Sequence, residues 1–219
     1  MAVDEALLES AVAGGLSTVR WYRWKRATLS IGYFQTLTAA LGEIRFRELP
    51  VVRRLTGGGA IIHHHELTYS CTLPAAHALA RDARELYLMV HQRIIEVLTG
   101  FGYAATLRGK TEPARSQEFL CFGRGDDFDV VMGEHKVLGS AQRRRKGAVL
   151  QHGSLVLQRS EWAGEFPGLF DCGEFKVPET ALLARLSSAT AELFSAKVIS
   201  CSISNDERDR AAQMAAKSV

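Results

Sequence analysis

The sequence predicts an α+β fold with a mixed, largely antiparallel sheet and flanking helices, and three observations predict it. Short alternating or β-branched runs cluster at residues 18–73 and 128–157. Away from the chain ends, a 3.6-residue apolar period is sustained only in 78–101 and 179–194. The strand-like runs also follow one another through turns, with no regular strand–helix–strand rhythm. At 219 residues and 47% hydrophobic, residues 1–219 are expected to form a single domain.

The opening MAVDEALLESA places Val3, Ala6, Leu7 and Ala11 at helical spacing, with Asp4 and Glu5 in the first turn, where the helix dipole favours acids. In TVRWYRWKRATLSIGYFQ, Val19, Trp21 and Arg23 alternate as a strand, followed by a turn and a second short run ending near Gly32. Val51 and Val52 read as strand, Gly57 to Gly59 break it, Ala60 to Ile62 form another short strand, and Leu67 to Leu73 a third. From Ala78 to Phe101 the period becomes helical, with Tyr87, Val90, Ile94, Val97 and Phe101 on one stripe. A meander follows: Phe128 to Met132, a turn at Gly133-Glu134, His135 to Leu138, an RRRKG loop, and Ala148 to Leu157. A Pro/Gly-rich connection over 166–178 leads to a helix from Glu179 to Phe194 with Leu182, Leu186, Ala189 and Leu193 on one face; the last residues form a short helix or a frayed tail.

Composition excludes several classes. Nineteen glycines and five prolines do not make a fibrous or low-complexity chain, and a net charge of +3, from 27 Lys+Arg against 24 Asp+Glu, gives nucleic-acid binding little support. No run approaches eighteen apolar residues, and the acidic start is unlike a signal peptide, so a cytoplasmic protein with no membrane role is expected. The scattered Cys71, Cys121, Cys172 and Cys201 form neither a disulfide framework nor a zinc spacing. His63, His64 and His65 are consecutive, so in an extended chain their rings alternate and cannot share one ion; no metal site is expected.

Two segments carry candidate chemistry. In RRLTGGGAIIHH, three glycines need a tight turn or a ligand lying against the main chain; Arg53 and Arg54 precede them and His63 follows. In GEHKVLGSAQ, Lys136 sits on a short strand just before Gly139, Ser140 and Ala141, where an ammonium, backbone amides and a hydroxyl can hold a carbonyl or phosphate oxygen. Arg143, Arg144, Arg145 and Lys146 read either as a solvated loop or as a patch that steers an acidic partner. Cys121 reads either as a buried inert thiol or as a nucleophile whose base is distant in sequence.

These blocks, in this order, resemble the biotin/lipoate protein ligase superfamily, in the branch that holds lipoate-protein ligases and the Gram-positive-type octanoyltransferases. The matching blocks are MAVDEALLE, RWYRWKRATLSIGYFQ, VVRRLTGGGAIIHHHELTYS and FLCFGRGDDFDVVMGEHKVLGSAQRRRKGAVLQHGSL. The resemblance implies a catalytic domain of the class II aminoacyl-tRNA synthetase and biotin-lipoate ligase type. In it the loop at Arg53, Arg54 and Gly57 to Gly59 and the Lys136 strand flank an acyl tunnel, with Lys136 contacting the acyl carbonyl oxygen or, in ligases, the acyl-adenylate, His63 contacting the bound acyl group or its linkage, and Ser140 and Ala141 helping to complete the wall. It further implies that Cys121 takes an octanoyl group from acyl carrier protein as a thioester and passes it to a lysine of a lipoyl domain or glycine-cleavage H protein. Such an enzyme needs no cofactor; an ATP-dependent lipoate-protein ligase would need ATP and Mg²⁺. The same blocks are also compatible with a lipoyl/octanoyl amidotransferase or a non-catalytic lipoyl-domain binding module; a monomer is expected. Cys121 before Phe122, together with ELTYS, GSAQ and His64 and the lack of length for an accessory domain, resembles the transferases, whereas Gly59 resembles the ligases.

Overall fold

The computed structural model describes residues 1–110 and 119–217. In chain order its elements are helix α1 (Ala2–Val12), strands β1 (Thr18–Tyr22) and β2 (Thr28–Ile31), helix α2 (Leu37–Gly42), strands β3 (Val51–Arg53), β4 (Ile61–His63) and β5 (Glu66–Leu73), and helix α3 (Ala83–Gly100). Strands β6 (Ala105–Leu107), β7 (Val130–Met132), β8 (His135–Arg145) and β9 (Ala148–Val156) follow, then helices α4 (Leu169–Cys172), α5 (Glu179–Ala191) and α6 (Asn205–Lys217).

Six strands form one antiparallel sheet in the order β1-β5-β9-β8-β7-β6, and a smaller sheet has the order β3-β2-β4, with β2 parallel to β3 and antiparallel to β4. The large sheet is covered on both sides. On one, Leu67, Tyr69, Cys71 and Leu73 of β5 join Leu138, Val149 and Leu155 and pack with Leu86, Val90, Ile94 and Leu98 of α3 and Leu182 and Leu186 of α5. Each fully buried leucine or isoleucine there contributes about 2 kcal/mol. The intervening residues of β5, Glu66, Thr68, Ser70 and Thr72, are polar yet equally buried. They face α1, whose Leu8 and Ala11 pack on Ala148 and Leu150. β5 therefore alternates between an apolar layer and an enclosed polar one, which places ionisable groups where a site can use them.

The α3 helix starts later than its apolar period suggests. Asp82 caps it, its Oδ1 accepting from the amides of Arg84 at 2.8 Å and Glu85 at 3.2 Å, while Ala78–Ala80 is a separate single 3₁₀ turn. The expected RRRKG loop does not exist. Arg143, Arg144 and Arg145 belong to β8, and the turn is Lys146-Gly147 alone, with φ of 48° and 83°, the pair of positive values that a two-residue hairpin takes. β7 begins only at Val130, later than the alternation from Phe128 suggests, and β6 at the sheet edge has no counterpart in the sequence pattern. The C-terminal segment is helical to Lys217; its last two positions lie outside the described residues.

Candidate active site

The glycine loop is shaped by the segment that carries Cys121. The Cys121 amide donates to the Ala60 carbonyl at 2.8 Å, and the Ala60 amide donates to the Phe119 carbonyl at 2.9 Å, a short parallel bridge joining chain regions about sixty residues apart. A Cβ on Gly59 would lie 3.0 Å from the Cys121 nitrogen and 3.0 Å from the Phe119 oxygen, so the third glycine is what lets the cysteine segment close in. Gly58 has φ +93°, and a Cβ there would lie 3.9 Å from the Cys121 sulfur and 3.7 Å from Nη2 of Arg54. Cys121 itself opens a 3₁₀ turn, Cys121–Gly123, and is half-buried.

Lys136 faces this turn. Its ammonium is 2.8 Å from Oδ1 of Asp129 and donates to the carbonyls of Cys121 at 3.5 Å and Arg124 at 3.4 Å. Both partners of the ion pair are buried. Burial pushes the Asp129 carboxyl up, with Lys136 pulling the other way. A bulge between β7 and β8 sets the direction of the lysine: Val130 pairs with Leu138 but Val131 with Lys136, so Val137 is the extra residue. Val137 joins Leu138 in the apolar core, and Lys136 is turned to the polar face with Gly139.

A polar floor lies beneath. Arg54 is 3% exposed; Nη1 donates to the Ser30 carbonyl at 2.7 Å and hydroxyl at 2.6 Å, and Nη2 to the Gly59 carbonyl at 2.6 Å. Burial pushes its guanidinium down to about 10, against the pull of Cys121 and Glu66. His63 stacks on Trp24 with ring centroids 4.1 Å apart, donates through Nδ1 to Glu66 at 2.7 Å and meets Ser30 through Nε2 at 2.6 Å. Glu66 also accepts from Thr68 and Ser154. Asp4 accepts from Arg20 at 2.6 Å, Ser70 at 2.8 Å and Tyr22 at 2.9 Å. Burial alone would raise the Asp4 pKa, but the terminal ammonium, His152 and Arg20 more than reverse it, and the carboxyl is held well below its ordinary range.

Two cavities meet at Cys121 and Lys136. The inner one, with a mostly apolar wall, is lined by Arg54, Gly57, Gly58, Ile61, His63 and Phe122, together with Gly139, Ser140 and Ala141 of β8 and His152 of β9. The outer, more open one shares Gly57, Gly58, Cys121, Lys136, Ser140 and Ala141, and adds Gly59, Tyr87, His91 and Asp129. Cys121, Lys136, Arg54, Gly57 to Gly59, His63 and Gly139 to Ala141 thus reach one cleft. Arg53 does not: it points away from Arg54, and its Nη1 ties down the carbonyls of Gly32, Tyr33 and Gln35 at 3.3, 3.2 and 2.6 Å. The arginine run does not act as a unit either. Arg145 pairs with Glu5 and Glu9, Arg144 donates to the Ala80 carbonyl, and Arg143 lies over the Tyr33 ring at 5.0 Å.

Sequence pattern alone does not single out Asp129, His91, Glu66 or His152. His91 had a signal: it lies between Tyr87 and Ile94 on the apolar stripe of α3, a polar side chain where the period calls for an apolar one. Asp129 had only its place just before a strand.

Comparison with known proteins places the chain. The profile described as the lipoyl protein ligase A/B catalytic domain matches residues 1–161. Among curated relatives, octanoyltransferase LipM of Exiguobacterium sibiricum is 37% identical over 182 residues, which is 78% of this chain and 64% of that protein. LipM of Staphylococcus aureus is 36% identical over 166 residues, 71% of this chain and 60% of the relative. The chain thus spans less than two thirds of the length of these relatives. Among solved structures, a lipoate-protein ligase A bound with ATP superposes with a TM-score of 0.78 at 21% identity, covering 99% of this chain and 88% of the other. A bipartite lipoate protein ligase from Thermoplasma acidophilum, described with its E2 lipoyl domain, gives 0.77 at 20% identity, covering 99% and 86%. At these identities the two structures speak for the fold. The profile match across most of the chain shows the family: this protein belongs to the lipoyl protein ligase A/B catalytic domain family.

Proposed function

We propose that this chain is an octanoyltransferase of protein lipoylation, which moves an octanoyl group from acyl carrier protein to a lysine of a lipoyl domain or glycine-cleavage H protein through a thioester on Cys121. The observation that carries the reading is the junction of the two cavities at Cys121 and Lys136. The inner cavity has a mostly apolar wall and suits an alkyl chain, while the outer one gives access to two protein substrates in turn. The names of the LipM relatives support the same reaction.

The Cys121 thiolate attacks the carbonyl carbon of the donor thioester. The Lys136 ammonium offers N–H to the developing oxyanion, the bond to the carrier sulfur breaks, and the carrier leaves as its thiol after taking up a proton. In the second half the acceptor amine attacks the acyl-Cys121 carbonyl. The C–S bond breaks, an amide forms, and the amine proton goes to the Cys121 sulfur. Because the donor is already a thioester, no adenylation step is needed, and neither ATP nor a metal enters the scheme.

A transfer assay tests this reading. Apo lipoyl domain incubated with octanoyl-carrier protein and the enzyme, without ATP, is expected to gain one octanoyl group per domain. Modification that requires free octanoic or lipoic acid together with ATP would instead establish ligase chemistry. Transfer only from another lipoylated protein would establish an amidotransferase.

A further inference from the structure

A buried line of hydrogen bonds runs along the cleft, and the transfer steps above leave it unused. It passes from Gln142 through Gln151, Tyr69 and Ser140 to His91, and a main-chain carbonyl fixes each end. At one end His91 Nδ1 is 2.5 Å from the Phe128 carbonyl, which only accepts, so Nδ1 carries the proton. Burial pushes His91 down to about 4, so the ring is neutral and Nε2 is a bare acceptor. Ser140 Oγ, 2.6 Å away, donates its single proton to that nitrogen. Tyr69 lies 2.7 Å from the same oxygen and 3.4 Å from His91 Nε2; with the Ser140 proton on His91, its shorter contact makes it the donor to Ser140, and it accepts from Gln151 at 2.7 Å.

The other end gives the same polarity independently. The Gln142 amide nitrogen faces the Ala83 carbonyl at 2.9 Å and therefore also supplies the proton to Gln151 Oε1 at 2.7 Å, which leaves the Gln151 nitrogen for Tyr69. From this end Tyr69, accepting from Gln151, keeps its own proton to donate, and its shorter contact is Ser140, so the two ends agree in pointing the line toward Phe128.

Ser140 lines both cavities and is half-buried. With its proton committed to His91, it offers the cleft a lone pair and no donor. Such a group repels an oxyanion and attracts an N–H. We propose that Ser140 seats the attacking amine by accepting a hydrogen bond from its N–H, while Lys136 serves the oxyanion, and that His91 is a positioning residue that keeps the Ser140 proton turned away from the cleft. This rests on the transfer reading and adds the placement of the second substrate.

The test compares two nucleophiles on one adduct. Enzyme carrying octanoyl on Cys121 is chased either with apo lipoyl domain, whose amine brings an N–H, or with pantetheine, whose thiolate brings none, and loss of the adduct is followed by intact mass. Ser140→Ala is expected to lower the aminolysis rate relative to thiolysis about tenfold, His91→Phe to do the same, and Ser140→Thr to restore the ratio. The two weakening variants act at opposite ends of one hydrogen bond, so either one suffices if the other does not fold. Equal slowing of both chases, or no change in either, overturns the assignment and leaves transfer through Cys121 intact. A wild-type chain that never forms the adduct removes the transfer reading and this assignment with it.

Discussion

Lys136 and Gly139 share one face of β8 although they are three positions apart, an odd spacing that in a regular strand puts them on opposite sides. The extra residue at Val137 shifts the alternation, and the lysine chain folds back over the glycine: a Cβ on Gly139 would lie 2.5 Å from Lys136 Cε and 2.9 Å from Nζ. Gly139→Ala should therefore leave a folded protein with a displaced ammonium. Steady-state kinetics should show kcat falling about tenfold to a hundredfold, with a small change in KM for either substrate. Unaltered kcat would mean that Lys136 is not held where the oxyanion needs it.

Asp129 is the partner that keeps a buried ammonium tolerable. Asp129→Ala leaves Lys136 with two long carbonyl bonds and the Phe122 ring, and the cost is expected to be about 3 kcal/mol of stability, read as a lower urea midpoint. Asp129→Asn keeps a hydrogen-bond acceptor in place and should recover most of that loss. Its kcat should remain low, because removing the negative charge changes the ammonium's field.

Acid should loosen the fold as the buried histidines are forced to take up protons. His91 titrates at about 4 in the fold against 6.5 for a free imidazole, and burial lowers His152 as well. The unfolded chain then binds these protons more readily than the native one. The associated stability is fully present above about pH 6.5 and is lost as pH falls toward 4; for His91 alone it is on the order of 3 kcal/mol. Urea midpoints at pH 7.5 and pH 5 should differ in that direction, and His91→Phe should flatten the difference.

The arginines of β8 should separate by position. Arg143 lies over Tyr33; if the donor is an acidic carrier protein, as proposed, Arg143→Glu should raise KM for it severalfold with kcat little changed. Arg145 is held by Glu5 and Glu9 at the far end of the strand, so Arg145→Glu should lower stability by about 1 kcal/mol and leave KM alone.

Much of the cleft was readable in the sequence because its two signatures are local. RRLTGGG and GEHKVLGSAQ each place their key atoms within a few residues, and both arrive at the same cavity. What the sequence concealed depends on chain segments far apart. The third glycine looked like a mark of family branch, yet it answers to the Cys121 backbone at 3.0 Å. Arg53 and Arg54 looked alike, but they leave the end of β3 in opposite directions, one to the surface and one beneath the cleft. The RRRK run resembled a loop by composition, although its neighbours Ala148 and Val149 pair with Arg145 and Arg144 in register, and only Lys146-Gly147 has turn geometry. Asp129 and His91 meet β8 from other segments of the chain, and of the two only His91, a polar side chain on the apolar stripe of α3, leaves a trace in the spacing.

The proposed transfer turns on a covalent octanoyl group at Cys121. Intact mass of the enzyme after brief exposure to octanoyl-carrier protein, with no ATP present, should show one added octanoyl that is absent in Cys121→Ala and that chases onto apo lipoyl domain. An unmodified enzyme that still modifies the lipoyl domain, or an adduct that survives in Cys121→Ala, would contradict it.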